Sequence, residues 1–191
     1  MKRYTIQPTG KQRQGYTLVE MLVVITIIAI LAGVVSIVVF DNLKVGRDAE
    51  RQTDLQVIAT AIEEYKRKHG RYPEMGCIPL VAGWSRQQDC YDFAADLGTV
   101  LPQIPRDPSP GSGDGYVYRT NTEGSVFKLM ARGSVEDAVT ADHPLQACDP
   151  TFCDSGCTGS ALYSTSYAIW GGFADGVRGD DSATADVICA M

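Results

Sequence analysis

KQRQGYTLVEMLVVITIIAILAGVVSIVVF, residues 11–40, decides how the rest of the chain is read. From Tyr16 to Phe40 it holds one charged residue, Glu20, at the start of the apolar run. Lys11 and Arg13 precede it and Asp41 ends it. About 20 apolar residues are enough to cross the hydrocarbon core of a bilayer as a helix. Inside lipid each backbone group needs an internal partner, which a helix supplies. Glu20 is the anomaly, because an unpaired charge in the apolar layer is costly and therefore marks function.

Outward on the N-terminal side, residues 1–15 are polar, carry Lys2, Arg3, Lys11 and Arg13, and are broken by Pro8, Gly10 and Gly15. This is a leader and not a folded element. A secretory signal is cut after its apolar region; here the sharpest local signal, Gly15 before Tyr16, lies ahead of it. The basic leader predicts a cytoplasmic N-terminus and an exported C-terminal part. Without the leader the chain holds 13 basic against 23 acidic residues, a formal charge of −10. That argues against a nucleic-acid-binding surface, which needs a basic face.

GYTLVEMLVVITIIAILA resembles the prepilin signal of type IV pilins and type II secretion pseudopilins. The resemblance implies that a prepilin peptidase cuts between Gly15 and Tyr16 and methylates the new N-terminus. It places Glu20 at the family's acidic position. A free α-amine on Tyr16 of a neighbouring subunit is a natural counter-charge for Glu20, strong in a low dielectric. Such a pair would set register as helices stack into a filament. The chain departs from many family members in lacking a proline inside the apolar half; Gly33 is its weak spot.

On the C-terminal side, Leu55, Ile58, Ile62 and Tyr65 recur at helical spacing and predict an amphipathic continuation over 41–70. Glu63→Arg67 and Glu64→Lys68 are supportive i,i+4 pairs. Gly46 is a candidate bend, and Gly70 before Arg71-Tyr72-Pro73 is a stop. A helix over 16–69 would be about 80 Å long at 1.5 Å per residue. The alternative is two helices broken near 41–46.

Residues 71–191 form one small globular unit, since about 120 residues suffice for one domain. Gln87–Leu97 is a short helical candidate. LPQIPRDPSPGSGDGYVYRT (101–120) resembles the major pseudopilins of type II secretion at Pro105, Asp107, Pro108, Tyr116 and Tyr118. GSGDG (111–115) has no G-K-[ST] and precedes a strand, so it is not read as a phosphate loop. Strands are expected at Gly115–Thr120 and Ser125–Ala131, joined by the turn NTEG, and at Ser166–Gly171. The fold class is α+β: a long N-terminal helix on an antiparallel sheet of about three strands.

Six cysteines, Cys77, Cys90, Cys148, Cys153, Cys157 and Cys189, all follow the apolar stretch. An even count in the exported part reads as disulfides. Zinc is the rival, but no C-x-x-C pair is present. Cys77 and Cys90 form the first expected bridge. Cys189 is expected to pin the tail to the 148–157 cluster, within a polar insertion at about 133–162.

The tail GGFADGVRGDDSATADVICAM (171–191) sets Asp175, Asp180, Asp181 and Asp186 among glycines. Clustered carboxylates with loop carbonyls suit calcium, a hard cation with six to eight oxygen ligands. Ala174-Asp175-Gly176 and Ala185-Asp186-Val187 resemble the calcium loop of major pseudopilins, which implies Asp175 and Asp186 as ligands, completed by Asp180 or Asp181. A solvated acidic loop is the alternative, and Cys189 stands where the family has an aromatic. Arg178-Gly179-Asp180 spells an adhesion tripeptide, a match too short to carry weight. His69 and His143 stand without a nucleophile or base, and the catalytic and nucleotide motifs are missing.

The function expected is assembly and not catalysis. The subunit would wait in the bacterial inner membrane, be processed, and polymerise through its N-terminal helix into a periplasmic or surface filament. Its partners would be copies of itself, the prepilin peptidase and a secretion or pilus assembly platform. Type II secretion is the first reading. A type IV pilin, or an adhesin-like subunit that binds through its insertion, is the alternative.

Overall fold

The computed structural model describes residues 15–77, 80, 82–109, 111, 113–149, 153, 157, 159–172 and 186–191, without the side chains of 36–38, 40 and 41. The chain divides into two units, Met1–Asp41 and Asn42–Met191.

One helix, α1 (Leu18–His69), supplies the described apolar stem and the first element of the second unit. Neither Gly33 nor Gly46 interrupts it, so the two-helix alternative is set aside. Gly70 ends it as expected: φ is +78°, and its N–H bonds to the Lys66 carbonyl at 2.7 Å. That left-handed turn is the usual glycine helix stop.

The second unit carries a four-stranded antiparallel sheet in the order β1 (Ser85–Arg86), β2 (Gly115–Thr120), β3 (Phe127–Arg132), β4 (Tyr167–Gly171). In the ladder Tyr118 faces Leu129, and Leu129 faces Ile169. Alternation then divides the sheet's two faces. Tyr116, Tyr118, Phe127, Leu129 and Ala131 pack with Leu55, Ile58 and Ile62 of α1 in the main core. Leu55, Ile58 and Ile62 are fully buried, while Tyr65, fourth in the predicted stripe, is half-buried and stacks on His69.

The other face is covered too. Val117, Met130 and Ala168 pack with Trp84 and Ala147, and Val126 packs with Cys148, Cys153, Cys157, Val187 and Ile188. Ala147, Cys148, Cys153 and Cys157 of the insertion and the tail therefore form a second layer, while Val135 and Val139 at the start of the insertion join the main core. A sheet with apolar side chains on both faces needs cover on both.

Several expectations need correction. Gln87–Leu97 is not a helix; only a 3-10 turn, Leu97–Thr99, occurs there. Phe93 and Ala94 instead run against 74–76: Gly76 N–H bonds to Phe93 O at 3.0 Å, and Ala95 N–H to Glu74 O at 2.8 Å. These external partners replace the helical ones. The sheet has a fourth strand, β1, whose two residues are too few to show a period. β3 begins at Phe127 rather than Ser125, because the Asn121 side-chain oxygen takes the N–H groups of Ser125 and Val126. Glu63 does not meet Arg67; it accepts from the Tyr72 hydroxyl at 2.8 Å, and Glu64 takes both Arg67 and Lys68.

Three disulfides form: Cys77–Cys90, Cys148–Cys157 and Cys153–Cys189. The first matches the expected local bridge. The third joins the tail to the insertion, as expected, and Cys148–Cys157 is internal to it.

Candidate processing and assembly segment

Residues 15–17 precede the helix, and Gly15, Tyr16 and Thr17 are all exposed. The Gly15–Tyr16 peptide bond thus lies outside regular structure, where a peptidase finds an accessible backbone. Helix entry is set by the next few residues. Thr17 Oγ1 accepts from the Glu20 N–H at 3.2 Å, and Glu20 Oε2 accepts from the Thr17 N–H at 2.9 Å. The Thr17 hydroxyl also donates to Glu20 Oε2 at 2.9 Å. This is a capping box, Thr-x-x-Glu, which satisfies two otherwise orphaned N–H groups reciprocally. Glu20 also sits in the first turn, where the helix dipole favours an anion. The Thr-x-x-Glu spacing is visible in the sequence, yet the sequence reading gives the acid only its role between subunits and misses the cap.

Beyond the cap, Leu18–Val35 is long and apolar enough to cross a membrane, and none of that window is buried. Leu18, Ile25, Ile28, Ile30, Leu31 and Val34 are each more than half exposed. A contiguous apolar surface of this length marks a membrane or protein contact. The one hydroxyl in its middle, Thr26, donates to the Val23 carbonyl at 2.8 Å, so it adds no unpaired polar group.

This segment is matched by the family described as "Prokaryotic N-terminal methylation motif", over residues 10–36. Six relatives carry the name "Type II secretion system core protein G", three of them as follows. The protein of Klebsiella michiganensis is 32% identical over 135 residues, covering 68% of this chain and 87% of the relative. That of Pseudomonas aeruginosa is 33% identical over 126 residues, covering 65% and 85%. That of Pectobacterium carotovorum is 29% identical over 102 residues, covering 52% of this chain and 64% of the relative. The chain belongs to the type II secretion core protein G family. No solved structure gives a significant match.

At 68% of this chain, the Klebsiella michiganensis match is too long to lie within the first unit and reaches well into the second. Of the four carboxylates proposed for calcium, Asp175, Asp180 and Asp181 lie outside the described residues, as does Arg178-Gly179-Asp180. Asp186 is exposed and opens a short helical turn at 186–188. Among the described residues no group of three acids, histidines or cysteines is placed to hold a metal. His143 serves the packing of the unit. Its Nδ1 accepts from Leu145 N–H at 3.0 Å, and its ring stacks on Tyr167.

Two buried cations went unread in the sequence. Arg51 is fully buried and donates to Asp48 at 2.6 Å, to Asp107 at 3.1 Å and to the Ser109 carbonyl at 2.6 Å. Asp48 in turn accepts from the N–H groups of Glu136 and Asp137. α1 is thereby fastened to the proline-rich connection and to the start of the insertion. Arg47 adds a two-pronged bond to Glu136, which holds that carboxyl below its ordinary range. Lys128, on the central strand β3, is fully buried against the tail. Its Nζ donates to Ile188 O at 2.6 Å and to Ala190 O at 2.7 Å. The signal available in the sequence was a lone lysine in an apolar strand, FKLM; only the fold shows which groups face it.

Proposed function

We propose that the chain is a pseudopilin subunit of a type II secretion filament. It is cut between Gly15 and Tyr16 by a prepilin peptidase, methylated on the new Tyr16 amine, and polymerised through its stem. The observation that carries this is the exposed apolar stem led by Gly15 and capped by Thr17 and Glu20. Such a surface is stable only in lipid or against other stems. In the bacterial inner membrane it anchors the subunit with its N-terminus cytoplasmic; in the filament it packs on neighbouring copies. Glu20 has one oxygen engaged by Thr17, and its second oxygen is the group we assign to the Tyr16 amine of a neighbour. The insertion is buried as sheet cover at Ala147, Cys148, Cys153 and Cys157, which suits a structural part better than a binding loop.

Mass spectrometry of the mature chain tests the processing step. The expected N-terminus is N-methylated Tyr16, and any other mature N-terminus refutes it. The acidic residues Asp175, Asp180, Asp181 and Asp186 are proposed to take calcium with loop carbonyls. Thermal unfolding in EDTA against added calcium tests that separately, and an unchanged Tm removes the site.

A further inference from the structure

We propose that the groove between α1 and the turn at 97–101 is a docking site for a second copy of this chain, which inserts its Leu43 there head to tail.

The groove follows from how α1 packs. Leu55, Ile58 and Ile62 turn one face of the helix to the core and are fully buried. Val57 lies off that face and is 42% exposed. It does not stand alone. Val100 and Leu101, each half-buried, line one groove with it, and the buried Ala61 belongs to the same lining. The space measures about 480 Å³, and its lining holds a single charge, Glu64. The wall is fixed before any partner arrives. The N–H groups of Val100 and Leu101 both bond to the Leu97 carbonyl, at 3.0 and 2.9 Å, and the Leu97 side chain is fully buried in the main core. A groove that is already ordered loses little on taking up an apolar side chain.

The second unit carries a matching knob. Segment 42–46 is helical and every residue in it is exposed. Leu43 is 51% exposed. Gly46 is one turn further along the same helix face. No atom lies within 4 Å of the place a Cβ would take on Gly46, so the rim of a neighbour's groove can approach the backbone closely. A subunit cannot fill its own groove in this way. Leu43 and Val57 lie on one helix, 14 residues apart, which is about 21 Å at 1.5 Å per residue. The Leu43 that enters must therefore come from another molecule.

The charges agree with this pairing. Residues 42–47 include Lys44 and Arg47 and no acid, while the groove lining includes Glu64 and no base. At an exposed rim such charges orient more than they hold, and the apolar contact supplies the affinity. Knob and groove are different surfaces, so the contact is heterologous. Repeated, it closes a ring or runs on as a filament. The choice of a second copy rests on the filament reading above, and the contact it adds is one that the stem does not make.

A benzophenone probe at Val57 of the full chain tests the contact, in membranes of cells that also produce an epitope-tagged copy. After irradiation, peptide mass spectrometry should find Val57 joined to segment 42–46 of the tagged copy. Adducts elsewhere on that copy, or only to another protein or to lipid, overturn the docking. A second probe at Val23, in the stem, separates the two readings. Adducts from Val23 to the copy without those from Val57 leave the filament reading standing and remove the groove. Adducts from Val57 without those from Val23 do the reverse, and the lack of both removes both. With the probe moved to Leu43, Val57→Lys should lower the yield about tenfold or more, since it places an unpaired charge in an apolar contact. Val57 is exposed in the subunit, so the fold of that variant does not depend on it. An unchanged yield from Leu43 in Val57→Lys overturns the docking as well.

Discussion

Lys128 makes the second unit's stability depend on pH in an unusual direction. Its amine is fully buried, it donates to two tail carbonyls, and the Trp170 ring lies 5.9 Å away. Among the described residues no carboxylate is paired with it. Burial therefore disfavours the charged form, and the nearby Arg119 adds to this, so the amine is lowered from 10.5 to about 7. The unfolded chain has the ordinary lysine value. Between about 7 and 10.5 the unfolded state binds more protons than the folded one, so stability rises with pH there. The full window corresponds to about 5 kcal/mol at ~1.4 kcal/mol per pH unit. From pH 7.5 to 9.5 the gain is about 2–3 kcal/mol, which is roughly 5–10 °C in Tm for a unit of this size. Buried Tyr116 and Tyr118, whose hydroxyls are raised by burial, start to oppose the trend only above about pH 10. Circular dichroism melts of the oxidised protein at the two pH values measure the slope. Lys128→Met removes the titrating amine at similar volume and should flatten it. A wild-type Tm that does not rise, or an equal rise in Lys128→Met, refutes the reasoning.

Arg51→Met should cost about 3–5 kcal/mol in a denaturant titration, because it strands the buried carboxylates of Asp48 and Asp107. At the acid end, Glu136 contributes stability present above its ordinary pKa and lost as pH falls through its lowered folded value, because Arg47 bonds its charged form. Glu136→Gln should shrink that acid-side loss in melts between about pH 5 and 3. Gly172 has φ +95°, and a Cβ there would stand 2.1 Å from the Ser125 carbonyl oxygen. Gly172→Ala should therefore cost more than about 1–3 kcal/mol by equilibrium unfolding, the usual strain of such a backbone alone. Glu20→Ala should leave a folded, membrane-inserted subunit that fails to assemble; normal filaments by electron microscopy would remove its assigned pairing.

Much of the architecture was legible because it rests on local chemistry. The stem is a run of residues from Tyr16 to Phe40 with one charge, and that composition reads the same in any context. Gly70 ended the helix because only glycine takes that turn cheaply. β2 was bounded correctly because Tyr116 and Tyr118 alternate between Gly115 and the turn at Asn121. The failures share another cause. Residues 87–94 have enough helix formers to suggest a helix, but Gln87 N–H bonds to Tyr116 O and Phe93 O accepts from Gly76, partners found only after folding. β1 has no pattern of its own and is a strand because β2 offers it an edge. Spacing pairs Glu63 with Arg67, but the chain beyond Gly70 brings Tyr72 back over it.

The candidate assembly segment shows the same division. The motif over residues 10–36 is legible in sequence because it is a linear string, and the roles proposed for Gly15, Tyr16 and Glu20 rest on it. The chain by itself determined the membrane-length stem, the acidic charge of the part that follows it and the use of disulfides there. Tertiary structure decided that Cys153, and neither Cys148 nor Cys157, meets Cys189. It also decided that Arg51 and Lys128 are buried and that part of the insertion is a second cover for the sheet. A buried charge acquires its meaning from groups that arrive from far along the chain: Asp107 and Glu136 for Arg51, Ile188 and Ala190 for Lys128. No local pattern encodes those arrivals, because they follow from which faces of one sheet had to be kept from water.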